Sequence, residues 1–277
     1  MSEPAAAAVV EEALRRIGAG RGTRLDVAEA ALLLAARERP DLDLAPYRAH
    51  LAEMVAGARE RAHADVGRAI VGLNGLLFAE LGYRGDTATY DDPRNANLAD
   101  VIDRRRGLPV ALGILYIHAG RAMGLDVHGL NTPGHFLVGI GTGDRRIVCD
   151  PFNTGRILDA AGLRQILVSA GEQTIEDIDL VRYPPMDDHV VLLRLQNNLK
   201  LRALRSGDSD RAVQVLESMV LVAPGHAASW RELAGLYAGR ESLVAARQAL
   251  ERGLAVAGGS EMRAIEADLA RLRRRFN

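Results

Sequence analysis

Residues 135–152 read HFLVGIGTGDRRIVCDPF. Two short β-forming runs, Phe136–Ile140 and Ile147–Cys149, flank the glycine-rich GTGD, which is the pattern of an antiparallel hairpin. A turn centred on Thr142 and Gly143 pairs Leu137 with Val148, Phe136 with Cys149 and His135 with Asp150. Directly opposed residues project to one face with β-carbons roughly 5 Å apart, so the carboxylate can hold one imidazole nitrogen while the other faces a ligand. Neighbours along a strand point to opposite faces. The same register therefore turns Cys149, the only cysteine of the chain, away from the pair and into the core. A thiol buried in an apolar strand acts as a small hydrophobe rather than a nucleophile.

Immediately upstream, residues 107–125 read GLPVALGILYIHAGRAMGL. Pro109 suits a first helical position, Gly124 a stop, and the apolar run between them predicts a helix buried along most of its length. DVHGLN at 126–131 adds a strand, PFNTGR at 151–156 turns the chain, and Asp159 caps another short helix. The middle of the chain is thus α+β, a central helix with a small antiparallel sheet. Up to residue 81 the pattern is helical: Tyr47, Leu51, Met54, Val55 and Ala58 follow the cap Asp43, and Ile70, Leu73, Leu77 and Leu81 repeat the spacing before Gly82. Between these regions lies a polar loop, YRGDTATYDDPRNAN, from which Asn97 starts a helix that ends in Arg104–Arg106, where cations complement the helix dipole.

Downstream, Pro184 and Pro185 break regular structure and mark a boundary, giving expected domains at 1–185 and 186–277. The second domain repeats at 34 residues: Gln196, Leu199, Ala203, Ala212 and Leu216 recur as Trp230, Leu233, Tyr237, Ala246 and Leu250, with Pro224 closing the first unit. This is the tetratricopeptide period and pattern, followed by one final helix.

Composition narrows the function classes. Hydrophobic residues make up 48% and charged residues 26%, the balance of a globular chain, and the formal net charge of −1 steers it to neither nucleic acid nor a membrane surface. Lys200 is the only lysine. One cysteine allows no internal disulfide, no HxxxH or HExxH spacing is present, and neither a metal nor a cofactor is expected. His118 reads as a hydrogen-bonded core histidine, and His128 lies on a predicted strand from which it could approach His135 without the spacing of a metal site. With Glu11 and Glu12 inside the N-terminal segment and no long apolar run, the expectation is a cytoplasmic protein without a membrane span.

YDDPRNANLADVIDRRRGLPVALGILY, TPGHFLVGI and VCDPFNTGR, in that order and followed by tetratricopeptide repeats, together resemble the bacterial SirB-type family, from about residue 25 to the C-terminus. That family belongs to the transglutaminase-like branch of the papain-like cysteine-protease superfamily. The resemblance implies a nucleophilic cysteine in the first turn of the central helix, with His135 as its base and Asp150 as the acid that orients the base. The position matching the nucleophile is Ala111, and residues 107–113 contain no Cys, Ser or Thr. Where papain-like enzymes carry a glutamine for the oxyanion hole stands Arg105.

The leading expectation is a pseudoenzyme: a transglutaminase-like domain fused to a repeat array, binding a protein or peptide at the cleft near Ala111, His135 and Asp150, along the helical groove, or at both. Asn95 and Asn97 are candidate lining residues, and Trp230 and Tyr237 candidate binding residues of the repeats. The competing expectation is an active hydrolase or acyltransferase, using a water activated by His135 or, if a bulge shifts the hairpin, Cys149.

Overall fold

The computed structural model describes residues 3–20, 24–169, 171 and 183–274. These form two compact units, Arg24–Val191 on one hand and Met1–Thr23 with Leu192–Asn277 on the other. The first helix, α1 (Glu3–Ala19), therefore groups with the C-terminal helices, whereas the expected division at 185 left it with the first domain.

In the unit Arg24–Val191, α2 (Val27–Glu38) starts at Asp26, whose carboxylate accepts from the Ala28 and Glu29 N–H groups, and it is buried over most of its length. In α3 (Ala45–Glu60), Leu51, Met54 and Ala58 make the buried stripe. The next helix, α4 (Val66–Asn74), runs on as a π-helical segment, Gly75–Glu80, which the regular spacing did not predict. The widened turn keeps Leu77 in the core and leaves Leu81 half-buried. Asn74, at the junction, donates to the Gly155 carbonyl at 2.9 Å and so ties this helix to the turn after Asp150.

A two-residue parallel ladder joins β1 (Arg84–Gly85) to β2 (Arg106–Gly107), with α5 (Leu98–Arg104) between them. Asn97 caps α5 through the N–H groups of Ala99 and Asp100. Then comes the central helix, α6 (Pro109–Ala122), with Pro109 at its first turn, and Gly124 beyond its end at φ 82°. The sheet follows as β3 (Val127–Leu130), β4 (Leu137–Ile140), β5 (Ile147–Asp150) and β6 (Arg156–Leu158), each antiparallel to the next in that order, and α7 (Ala160–Ser169) completes the unit.

The two faces of this sheet carry different layers. On one side lies α6: a β-carbon at Gly113 would stand 2.3 Å from the Phe136 ring, one at Gly120 would stand 2.7 Å from Val127, and Tyr116 is a neighbour of Cys149. On the other side Leu130, Leu137, Val148 and Leu158 pack with Leu163 and Leu167 of α7. Period-two alternation sorts these residues between the faces.

The hairpin register differs from the expected one by two residues. Val138, not Phe136, pairs with Cys149, because the chain between the strands spans six residues with a 3₁₀ turn at Gly143–Arg145 and positive φ at both Gly141 and Gly143. A slide of two preserves facing, so Cys149 and Asp150 still project to opposite sides.

In the other unit, α8 (Asp188–Arg205, whose first four residues belong to the first unit) is followed by α9 (Ser209–Val222), which packs against α1. Next come α10 (Ala227–Gly239) and α11 (Leu243–Leu254), packed as a helical pair, with α12 (Gly259–Arg273) last. Ala246 is fully buried, and a β-carbon at Gly253 would stand 2.9 Å from the Trp230 β-carbon, so α10 and α11 meet through small residues. Gly18 explains the grouping of α1: a β-carbon there would stand 2.0 Å from the Leu221 carbonyl oxygen, an approach only glycine permits.

Candidate functional site

The site forms where β5 ends. Asp150 closes the strand and caps the short 3₁₀ turn Pro151–Asn153, its carboxylate accepting from the N–H groups of Phe152 and Asn153 and from the Asn153 side chain at 2.7 Å. His135, just before β4, places Nε2 2.9 Å from Asp150 Oδ1 and meets the Phe152 ring edge to face. Burial alone would raise the Asp150 carboxyl; the hydrogen bond and charge of His135, with the Asn153 donors, outweigh it and hold the group below the usual carboxylate range. An ionised carboxylate only accepts, so Nε2 carries the hydrogen of this bond. Nδ1 makes no hydrogen bond among the described residues.

This pair opens on a cleft of about 430 Å³ on the α7 side of the sheet. Gly134, Asn153, Arg156, Gln165 and Ser169 are among its lining residues. Arg156, Asn153 and Gln165 escaped the sequence reading; their signal lay in the PFNTGR turn, which folds β6 back beside Asp150 and brings α7 over it.

The other expected residues are placed elsewhere. Cys149 is fully buried on the α6 side, and burial pushes its thiol up to about 11. At neutral pH that leaves roughly one thiolate in ten thousand. Ala111 is fully buried, touches the Gly107 side of the ladder and does not line the cleft. Asn95 is spent on the Thr89 carbonyl and Arg104, and Asn97 on the cap of α5 and on Glu38, so neither lines it. Trp230 donates to the Pro224 carbonyl at 2.9 Å under the Arg252 guanidinium, and Tyr237 donates to Glu217 at 2.7 Å; both knit helices of the repeats together. His118 bonds Asp26, and His128 is buried in β3. Among the described residues no group of three His, Cys, Asp or Glu could hold a metal, and no helix is long and apolar enough to cross a membrane.

Residues 45–197 match the transglutaminase-like superfamily, more than half of the chain, and residues 199–277 match a tetratricopeptide-repeat family. The chain belongs to the transglutaminase-like superfamily. This transglutaminase-like protein is 33% identical over 225 residues to a UPF0162 protein of Xylella fastidiosa, covering 79% of this chain and 80% of that one. It is 29% identical over 146 residues to F-box only protein 21 of Mus musculus, covering 52% of this chain but 23% of the mouse protein. A crystal structure of menin aligns with 94% of this chain and 73% of menin, at 13% identity and a TM-score of 0.47. The SirB-type resemblance agrees with the UPF0162 relatives, and the α+β domain followed by helical repeats agrees with both family matches.

Proposed function

We propose that this transglutaminase-like protein is a pseudoenzyme that binds a protein or peptide segment, with the cleft at His135 and Asp150 as its recognition site. One observation carries the reading: the sheet separates the histidine–aspartate pair from the only thiol. Acyl transfer of the superfamily type needs a thiolate within hydrogen-bond reach of the imidazole. Here Cys149 points to α6 while Asp150 points to the α7 side, and Ala111 offers a methyl group sealed in the core. What the pair can still do is bind. Asp150 fixes the ring, and Nδ1 is left to hydrogen-bond a ligand in the open cleft that His135 lines. Tetratricopeptide units generally serve protein–protein interaction and add a second surface suited to an extended segment.

The test pairs turnover with capture. The full chain and its His135→Ala variant are incubated with a digest-derived peptide mixture and a primary amine, and both products and retained peptides are read by mass spectrometry. The expected result is retention of a peptide subset with no cleavage, deamidation or amine incorporation that depends on His135. Turnover present in the native chain and lost in His135→Ala would overturn the reading in favour of a hydrolase with an imidazole-activated water.

A further inference from the structure

Arg156 is the unused charge of the cleft. β5 and β6 pair Asp150 directly with Arg156, so an arginine and a carboxylate stand opposite each other on one face. That is the arrangement in which an ion pair normally forms. None forms here, because His135, the Asn153 amide and the two N–H groups of the following turn already occupy the Asp150 oxygens. The Arg156 guanidinium has no ion pair or hydrogen bond among the described residues. It is exposed, and it lines the cleft of about 430 Å³ together with His135, Gln165 and Ser169. Among the described residues Asp150 is the only carboxylate in that lining. Among the described residues the site thus offers one carboxylate whose oxygens are engaged and one planar cation without a partner.

We propose that the cleft binds the carboxylate of a peptide, with Arg156 as the residue that receives it. The proposal rests on the peptide-binding reading above and deepens it. A guanidinium presents parallel N–H donors that match a carboxylate in bidentate fashion. His135 lines the same cleft and leaves its Nδ1 to hydrogen-bond the same ligand. Rigid hydrogen bonds hold Asp150 away from Arg156, so the guanidinium exchanges only water for the incoming carboxylate and breaks no internal ion pair. A peptide carboxylate has two sources, a free C-terminus or an Asp or Glu side chain, and the experiment separates them.

Three pools of random hexapeptides are passed over the immobilised full chain, and retained peptides are counted by mass spectrometry. One pool has free C-termini and no acidic residues, one is amidated and contains Asp and Glu, and one is amidated without acidic residues. Arg156→Gln, Arg156→Lys and Arg84→Gln are run alongside; Arg84 is an exposed arginine outside the cleft, so its variant controls for net charge. At least one carboxylate-bearing pool is expected to be enriched about tenfold over the neutral pool, and which one identifies the source. Arg156→Gln should abolish that enrichment, Arg156→Lys should keep part of it, and Arg84→Gln should leave it intact. If the neutral pool is retained equally well, or Arg156→Gln retains acidic peptides as the native chain does, the carboxylate assignment falls while peptide binding stands. If no pool is retained, the peptide-binding reading falls and this inference falls with it.

Discussion

Replacing Asp150 by alanine removes one carboxylate that serves four donors: His135 Nε2 at 2.9 Å, the Phe152 and Asn153 N–H groups at 3.1 and 3.4 Å, and Asn153 Nδ2 at 2.7 Å. The residue is 1% exposed, so little water replaces the lost acceptor. Single hydrogen bonds to a charged partner are worth roughly 1.5–3 kcal/mol, and members of one network do not add. The expected loss is about 3–5 kcal/mol, between two and four powers of ten in the opening equilibrium. The only tryptophan, Trp230, lies in the other unit and does not report on this one. Cys149 does, because it is buried in the same strand and its thiol is pushed up to about 11, so it is labelled only when the strand opens. A pyridyl disulfide, which reacts in acid as well as at neutral pH, should label Asp150→Ala at least about a hundredfold faster than the native chain at pH 7. The pH dependence has a fixed sign. The folded-state carboxyl lies below its unfolded value, so its stabilisation is fully present above about pH 4 and fades as pH falls through the folded value. The two labelling rates should therefore converge in strong acid. A rate difference below about threefold at pH 7, or one that persists unchanged to pH 2, would refute the network.

Gly113→Ala would place a β-carbon 2.3 Å from the Phe136 ring at the α6–sheet contact, and the forced shift should cost about 1–3 kcal/mol in urea unfolding followed by far-ultraviolet circular dichroism. Gly155→Ala combines φ 71° with a β-carbon 2.0 Å from Asn74 Oδ1; it should disturb the Asp150–Arg156 turn and lower peptide retention well before the chain unfolds, measured by the same capture assay at 25 °C. Arg121 holds Asp188 at 2.8 and 2.9 Å in a partly buried pair, so Arg121→Ala should cost about 3 kcal/mol by urea titration, with Asp188 left uncompensated. Burial and the neighbouring Arg105 hold the His50 imidazole below its usual value, so the unfolded chain takes up its proton first and stability falls as pH drops through about 6.5. His50→Gln should flatten the stability profile between pH 7 and 5, and an unchanged slope would show that another group sets it.

How far the sequence could be read depended on which choices were local. Pro109 and Gly124 bound α6 because their chemistry acts at a single residue: a fixed φ without an N–H at one end, a freely positive φ at the other. The hairpin register was not local in that sense. GTGD offers two glycines that can take positive φ, and both do, so the loop is longer than the tight turn the pattern first indicated. Arg156 was invisible for a related reason. Its pairing with Asp150 depends on the turn through Gly155, and its lack of a partner follows from how four other donors share one carboxylate. The π-helical segment after α4 is likewise a tertiary choice. Residues 75–80 continue a normal apolar spacing, yet the widened turn lets Asn74 reach the Gly155 carbonyl, 81 residues on.

Which side chains of β5 share a face does not depend on the two-residue slide of the hairpin. A slide of two residues preserves which side chains share a face, whereas a slip of one exchanges them all. For Cys149 to enter the cleft, the strand would have to slip by one. Val148 would then leave its packing against Leu158 and Leu163, and Asp150 would turn its charge toward the α6 layer, where Tyr116, Phe136 and Val138 are buried. Losing one buried valine from its packing costs about 1.5–3 kcal/mol, and burying an uncompensated carboxylate costs several more. Those penalties approach the whole stability of an ordinary domain. A thiol mechanism at this site would therefore require unfolding the sheet that holds its own histidine, while binding through Arg156, His135 and the turn of Asn153 uses the sheet as it stands.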